Sequence, residues 1–262
     1  MSTVRRAVVD GLLYPAAPDA LRARIAEWLA GAAGVAARCP KLIVVPHAGY
    51  DYCGAVAARA YALLAPPCAA AIRRVVLLGP AHRMPLELIA APTVQAFETP
   101  LGRVPVDAEA LAALDDLPQV MRNDRAHERE HSLEVQLPFL QTLLGPFTLV
   151  PLIVGDVDAD AAAQVIERLW GGSEALLVIS SDLSHYLPYE QAQALDQATA
   201  QRILQLDASL TRNEACGAAA INGALLCARR HGLAPRLLDL RNSGDTVGGR
   251  ERVVGYAALV FE

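Results

Sequence analysis

The chain has 262 residues, 53% of them hydrophobic, and carries 23 Lys and Arg against 28 Asp and Glu, a formal net charge of −5. That length and apolar content suffice for one large domain with its own core. The acidic balance argues against nucleic acid as the main partner, because neutralising a phosphate backbone needs a basic face.

Taken in chain order, residues 20–32 form an Ala/Leu-rich helical pattern with Asp19 placed to cap it. Residues 41–45 read as a strand, 54–64 as a helix of small and apolar residues, and 75–78 and 86–91 as strands. Residues 99–106, with Pro100, Gly102 and Pro105, form a loop or edge hairpin. Helical patterns follow at 107–114 and 132–144. In the second, Leu133, Leu137 and Leu140 share a face and Pro138 is expected to kink or delay the helix. A strand at 147–154, a helix at 159–170 and a strand at 175–180 come next. Helices at 189–206 and 216–231 and strands at 236–240 and 253–261 complete the chain. Several strands are continuous Val/Leu/Ile runs, the pattern of strands covered on both faces. The alternation predicts an α/β fold with a mainly parallel central sheet flanked by helices. No internal repeat, low-complexity tract or Gly/Ser-rich linker divides residues 1–262, so one domain is expected.

No uninterrupted apolar run reaches the roughly 20 residues of a membrane-spanning helix. The opening MSTVRRAVVDGLLYPAAP lacks an apolar stretch of signal-peptide length. A cytoplasmic protein without a membrane partner is the expectation. The five cysteines (Cys39, Cys53, Cys68, Cys216 and Cys227) are scattered without a CxxC pair and read as reduced thiols.

Three histidines share one context. His47 follows the run 42–45, His82 follows 75–78 and His185 follows 176–180, each a few residues beyond an apolar strand. In an open α/β sheet the ligand crevice lies outside the carboxyl ends of the strands. Asp245, in the RNSGD run after 236–240, reaches the same edge. Two neutral imidazoles and one carboxylate leave open positions on a metal, the arrangement of non-haem Fe(II) sites. His47, His82 and Asp245 are therefore candidate ligands and His185 the candidate acid/base group, its ordinary pKa being close to neutrality. Exchanging His185 with one ligand fits the spacing equally well. Tyr50, Asp182, His131 and Cys216 are further candidates to line the site.

The run His127–His131 matches HExxH, a zinc-binding pattern when it lies on one apolar helix. Here NDRAHEREH is charged nearly throughout and Pro138 follows closely, which weakens that reading, and His131 is free to line the site or cap its helix. Cys216 precedes a small-residue helix and could be an activated thiol, but a buried packing residue is the commoner role for such a cysteine. No glycine pattern offers a phosphate cradle.

Several motifs together resemble the Memo family, whose prokaryotic members are called AmmeMemoRadiSam system protein B. They are PHAGYDYCG (46–54), LLGPAH (77–82), ETPLGRVPVD (98–107), EHSLEVQLPFL (130–140), SSDLSHY (180–186), ACG (215–217) and NSGD (242–245). The resemblance implies a fold similar to the LigB-type class III extradiol dioxygenases, which bind Fe(II) on two histidines and a glutamate and use another histidine as acid/base. By position it implies His47 and His82 as ligands, Asp245 as the third and His185 as acid/base. Aspartate stands there in place of the dioxygenases' glutamate and the animal Memo proteins' cysteine, and Cys53 stands where members commonly have serine. The resemblance also implies one metal ion, Fe(II) foremost with copper or zinc as alternatives. It further implies functional association with a radical-SAM protein and the system's protein A. Two expectations follow: a dioxygenase-like oxidoreductase on a small, aromatic or phenolic, substrate, or a non-enzymatic metal-binding or peptide-binding adaptor using the same cleft. Metal-assisted hydrolysis is a third.

Overall fold

Unbroken apolar strands can be stable only if both faces are covered, and the fold meets that demand with one large sheet between two helical layers. The structure is a computed structural model describing residues 3–32 and 38–262. The strands are β1 (Val4–Arg5), β2 (Leu42–Val45), β3 (Arg74–Pro80), β4 (Ile89–Ala91), β5 (Ala96–Thr99), β6 (Gly102–Pro105), β7 (Val120–Arg122), β8 (Thr148–Val154), β9 (Ala175–Ser180), β10 (His185–Leu187), β11 (Pro235–Asn242) and β12 (Val253–Phe261). The helices are α1 (Pro18–Ala32), α2 (Tyr50–Tyr61), α3 (Cys68–Ala71), α4 (Ala108–Ala112), α5 (Asp124–Glu128), α6 (Leu137–Leu143), α7 (Ala159–Arg168), α8 (Tyr189–Leu204) and α9 (Ala218–His231).

The main sheet runs β10-β12-β2-β9-β3-β8-β4-β7, with β11 also paired to β12. Its centre, β2-β9-β3-β8, is parallel. Its margins are mixed: β12 pairs antiparallel with β2, β10 and β11, and β4 pairs antiparallel with β8. The parallel arrangement expected from the sequence thus holds in the middle, and the sheet as a whole is mixed. Alternate strand residues supply two separate cores. Ile43, Val45, Val75, Leu77, Leu176 and Val178 pack with α1, α2 and α6. Leu42, Val44, Val76, Leu78, Leu177 and Ile179 pack with α7 and α9. A hairpin of β5 and β6, where the sequence suggests a loop or edge hairpin, joins β1 in a small second sheet.

Local departures have local causes. Helix α1 starts at Pro18, so Asp19 lies in its first turn instead of capping it. A 3-10 turn occupies Glu134–Gln136 and α6 begins at Leu137, with Pro138 in the first turn, where its missing N–H leaves no helical bond unmade. Cys39 and Cys68 form a disulfide, correcting the reading of all five cysteines as thiols. The chain before β2 and the start of α3 meet with Cα atoms 5.4 Å apart, a proximity that a separation of 29 residues does not announce. Cys53, Cys216 and Cys227 are free. No helix among the described residues is long and apolar enough to cross a membrane.

Candidate metal centre

Parallel strands β2, β3 and β9 present their carboxyl ends along one edge, and the residues that follow them build the site. His47 lies just past β2, its backbone N–H donating to Asp182 Oδ1 at 2.8 Å. His82 follows β3, and Ser181 and Asp182 follow β9. Cys216 arrives from α9: its N–H donates to the Asp182 carbonyl at 3.2 Å, and the Gly217 N–H donates to Ser181 Oγ at 2.9 Å. Any side chain at 217 would meet the Ser181 side chain at about 2.8 Å, so glycine permits this approach. The ligand atoms of His47, His82 and Cys216 lie within 4.8 Å of one another, as do those of His82, Glu130 and His131. Three imidazole rings therefore cluster, with centroids 5.1 Å (His47–His82), 5.0 Å (His82–His131) and 5.5 Å (His47–His131) apart.

Hydrogen bonding assigns the tautomers. Ser180 Oγ donates its one proton to the Ser132 carbonyl at 2.6 Å and accepts from Gln136 Nε2 at 2.8 Å. It can then only accept from His47 Nδ1, 2.9 Å away, leaving His47 Nε2 bare and 3.4 Å from Cys216 Sγ. Gln136 is itself fixed by Tyr61 Oη on its oxygen and by the Pro46 carbonyl on its nitrogen. His82 Nδ1 faces Glu130 Oε1 at 3.0 Å, which makes it the donor and frees Nε2. This carboxylate also accepts from the backbone N–H groups of His82, His131 and Ser132, and His131 Nδ1 is 3.2 Å from Oε1. A carboxylate behind a histidine fixes the ring and raises its basicity toward a metal. The second donor group thus serves as a brace for the first.

Burial sets the charges. It lowers the His47 imidazole to about 4 against the opposing pull of Asp182, so the ring is neutral near pH 7, as a ligand must be. Burial, with Asp182 nearby, pushes the Cys216 thiol up to about 12, so a metal would have to displace its proton. Burial alone would raise the Glu130 carboxyl, but the neighbouring His131 and His82 ring nitrogens hold it well below the usual carboxylate range. Two imidazoles and one thiol form a set suited to a borderline or soft ion.

A cavity of about 480 Å³ opens on this centre, lined by Pro80, Ala81, His82, His185, Leu187, Leu195, Arg212, Asn213 and Cys216. His185 Nδ1 donates to the Leu183 carbonyl at 2.8 Å, so its Nε2 is the bare nitrogen. Its placement depends on β12: Gly255 exchanges both backbone bonds with Leu183 and Ser184, and Phe261, an even number of residues along and so facing the same flank, bonds Lys41 before β2. His185 therefore continues the β2 side of β12.

Asp245 does not join the group. It follows β11, which pairs with β12, and its carboxylate is not among the grouped donor atoms of the described residues. Its Oδ2 accepts from Asn242 N at 2.9 Å and its Oδ1 from Tyr189 Oη at 2.5 Å in a capping arrangement. Among the described residues, the donor atom that groups with those of His47 and His82 is Cys216 Sγ. Tyr50 is buried among Tyr14, Trp28 and Phe139 with its hydroxyl on the Val135 carbonyl, and so is a packing residue. Cys53 is buried with Sγ on the Ala48 carbonyl. Helix α5 stops at Glu128, so the HExxH run does not lie on one helix. Of its histidines, His131 joins the cluster while His127 is buried apart, with Nε2 3.0 Å from the Ala90 carbonyl. Glu130, Ser180 and Gln136 were not among the candidates, because nothing in the sequence marks a residue that acts only by orienting another.

His127 gives a pH dependence of stability. Burial lowers it from 6.5 to about 4, so the folded state resists a proton that the unfolded chain accepts. The stabilisation is complete above pH 6.5 and is lost as pH falls toward 4, reaching about 3 kcal/mol for this group. Urea unfolding from pH 7 to 4 should show the loss, and His127→Gln, which keeps a donor to Ala90 but cannot titrate there, should flatten the slope. An unchanged slope in that variant would remove His127 as the cause.

Fold and site together define an α/β protein with a histidine–cysteine centre at the carboxyl edge of its sheet. The sequence comparisons give that class a family. A family profile described as Memo-like protein matches residues 5–260. A MEMO1 family protein of Archaeoglobus fulgidus is 36% identical, covering 98% of this chain and 99% of the relative. One from Methanopyrus kandleri is 36% identical over 98% of each, and one from Aquifex aeolicus is 33% identical over 98% and 99%. The chain belongs to the Memo family.

Proposed function

We propose that this protein holds one metal ion on His47, His82 and Cys216 and acts as a dioxygenase-like oxidoreductase on a small molecule in the adjoining cavity. Iron is the preferred metal, with copper and zinc as the alternatives. The reading rests on one observation: the donor atoms of His47, His82 and Cys216 group together, and His82 and Cys216 line a cavity that a third histidine, His185, also lines. Iron or copper, when bound, would supply Lewis acidity and an electron-transfer couple, and zinc Lewis acidity alone. His185 lies outside the donor set, and its free Nε2 can take the proton of a substrate hydroxyl, with the Leu183 carbonyl holding the ring in place. Glu130 keeps His82 aimed, and the Ser180–Gln136 chain does the same for His47. Pro80, Ala81, Leu187 and Leu195 give the cavity an apolar share of its wall that limits water.

The test is anaerobic loading with Fe(II) followed by O2-uptake measurements over a set of catechols and phenols. Uptake that needs both metal and phenol, and that falls by about a hundredfold or more in His185→Gln at unchanged metal content, supports the reading. Metal-loaded protein that consumes no O2 with any phenol would leave the metal-binding adaptor as the function.

A further inference from the structure

We propose that the cavity beside the histidine–cysteine centre carries a carboxylate-binding subsite formed by Arg212 and Asn213, so that the molecule it accepts is a small carboxylic acid. As a substrate assignment this rests on the reading above. As a binding site it stands on its own geometry.

The segment before Cys216 is braced at several points. Asn222 holds residue 210 in both directions, accepting from Leu210 N and donating to the Leu210 carbonyl, each at 2.9 Å. The Glu214 carboxylate accepts from Thr211 N at 2.9 Å and Thr211 Oγ1 at 2.8 Å, and pairs with Arg202. Glu214 N and Ala215 N both return to the Thr211 carbonyl. Residues 210–215 are thus fixed as a frame. The two side chains at its tip, Arg212 and Asn213, make no hydrogen bond or ion pair among the described residues, and both line the cavity.

Other arginines on this side are engaged: Arg250 stacks over Tyr189, Arg252 over Tyr186, and Arg202 binds Asp207 and Glu214. Arg212 is the arginine among the described residues that line the cavity, and none of those residues is acidic. Behind the wall, Asp182 Oδ1 accepts from His47 N with Oδ2 4.0 Å from His47 Nε2, and Asp196 Oδ1 accepts from Ser184 N at 3.0 Å, but neither residue lines the cavity. In a chain of net charge −5, a cavity wall with one unpaired guanidinium and no carboxylate favours an anion. A planar guanidinium fork matches a carboxylate bidentately, and the neighbouring Asn213 amide adds a donor. One positive charge balances a monoanion and leaves a phosphate dianion half compensated. The occupant would then place its carboxylate on Arg212 and Asn213 and its reacting end toward His82, Cys216 and His185.

The test uses three probes of like shape, benzoate, benzamide and phenyl phosphate, titrated by ligand-detected NMR against the purified protein, Arg212→Gln and Cys216→Ser. Metal content and melting temperature are recorded for every sample. The expected result is benzoate bound at least about tenfold more tightly than benzamide, as one charge-assisted hydrogen-bond pair supplies. Arg212→Gln should abolish that preference at unchanged metal content and melting temperature. No preference in the wild type, or a preference that survives in Arg212→Gln, overturns the proposal. An Arg212-dependent preference for phenyl phosphate over benzoate overturns the carboxylate assignment in favour of a phosphate. Benzoate selectivity lost in Arg212→Gln, together with metal content unaffected by Cys216→Ser, would uphold the subsite while removing the metal reading.

Discussion

Cys216→Ser should cost the protein its metal. Reconstituted with Fe(II) or Zn(II) and desalted, the wild type is expected to retain about one equivalent, whereas Cys216→Ser and His47→Ala should fall to background. The reason is the size of the donor set. Three protein ligands leave no redundancy, and even removing a group that merely orients a ligand weakens such sites by about ten- to a hundredfold. Loss of a ligand should exceed that, and Glu130→Gln, which leaves His82 in place but unbraced, should fall within it. Asp245→Ala is the informative contrast. Its carboxylate is held by Asn242 N and Tyr189 Oη, so metal content should remain at the wild-type level. Metal lost from Asp245→Ala but kept by Cys216→Ser would restore the carboxylate triad read from spacing and discard the histidine–cysteine set.

That contrast also marks how far the sequence carries. His47, His82 and His185 could be placed at one sheet edge because each follows an apolar run, and strand ends in a parallel sheet share an edge whatever their order. Distance along that edge depends on strand order, which apolar runs do not encode. Asp245 satisfies the same rule as the histidines, yet its carboxylate is taken up by Asn242 N and Tyr189 Oη. Cys216 meets no such rule: it is brought in by packing of α9 on Ser181 through Gly217, and a thiol before a small-residue helix is as consistent with core as with chemistry.

The fold was legible where burial leaves a periodic trace. Strands β2, β3, β8, β9 and β12 were readable because two faces of apolar contact demand unbroken hydrophobic sequence. The short elements β1, β7, β10 and α5 were not, since two to five residues carry no period. Nor was the antiparallel run of β12, whose direction is set by pairing with β11 and β2 and not by its own composition. The disulfide escaped for a related reason, since Cys39 and Cys68 meet through tertiary packing alone.

Glu134 lies at the other extreme of legibility, an ordinary glutamate in EHSLEVQLPFL whose side chain is wholly buried. Its carboxylate pairs with Arg5, itself buried, and accepts from Val8 N at 3.0 Å, Val9 N at 3.1 Å and Tyr14 Oη at 2.6 Å. Arg5 also donates to the carbonyls of His127 and Glu130. One carboxylate therefore fastens residues 5–14 to the segment that carries Glu130 and His131. Removing it strands a guanidinium, a phenol and two backbone N–H groups away from water, and breaking a buried pair in this way costs about 3–5 kcal/mol. Urea unfolding of Glu134→Ala at pH 7 should show a loss of that size, with Glu134→Gln intermediate because it keeps an acceptor but not the charge. Arg5→Met with Glu134→Leu should recover part of the deficit, since replacing both partners removes the stranded charge. Glu134→Ala unfolding within about 1 kcal/mol of the wild type would mean that water or a rearranged Arg5 satisfies these groups. The network would then be a contact and not a clamp.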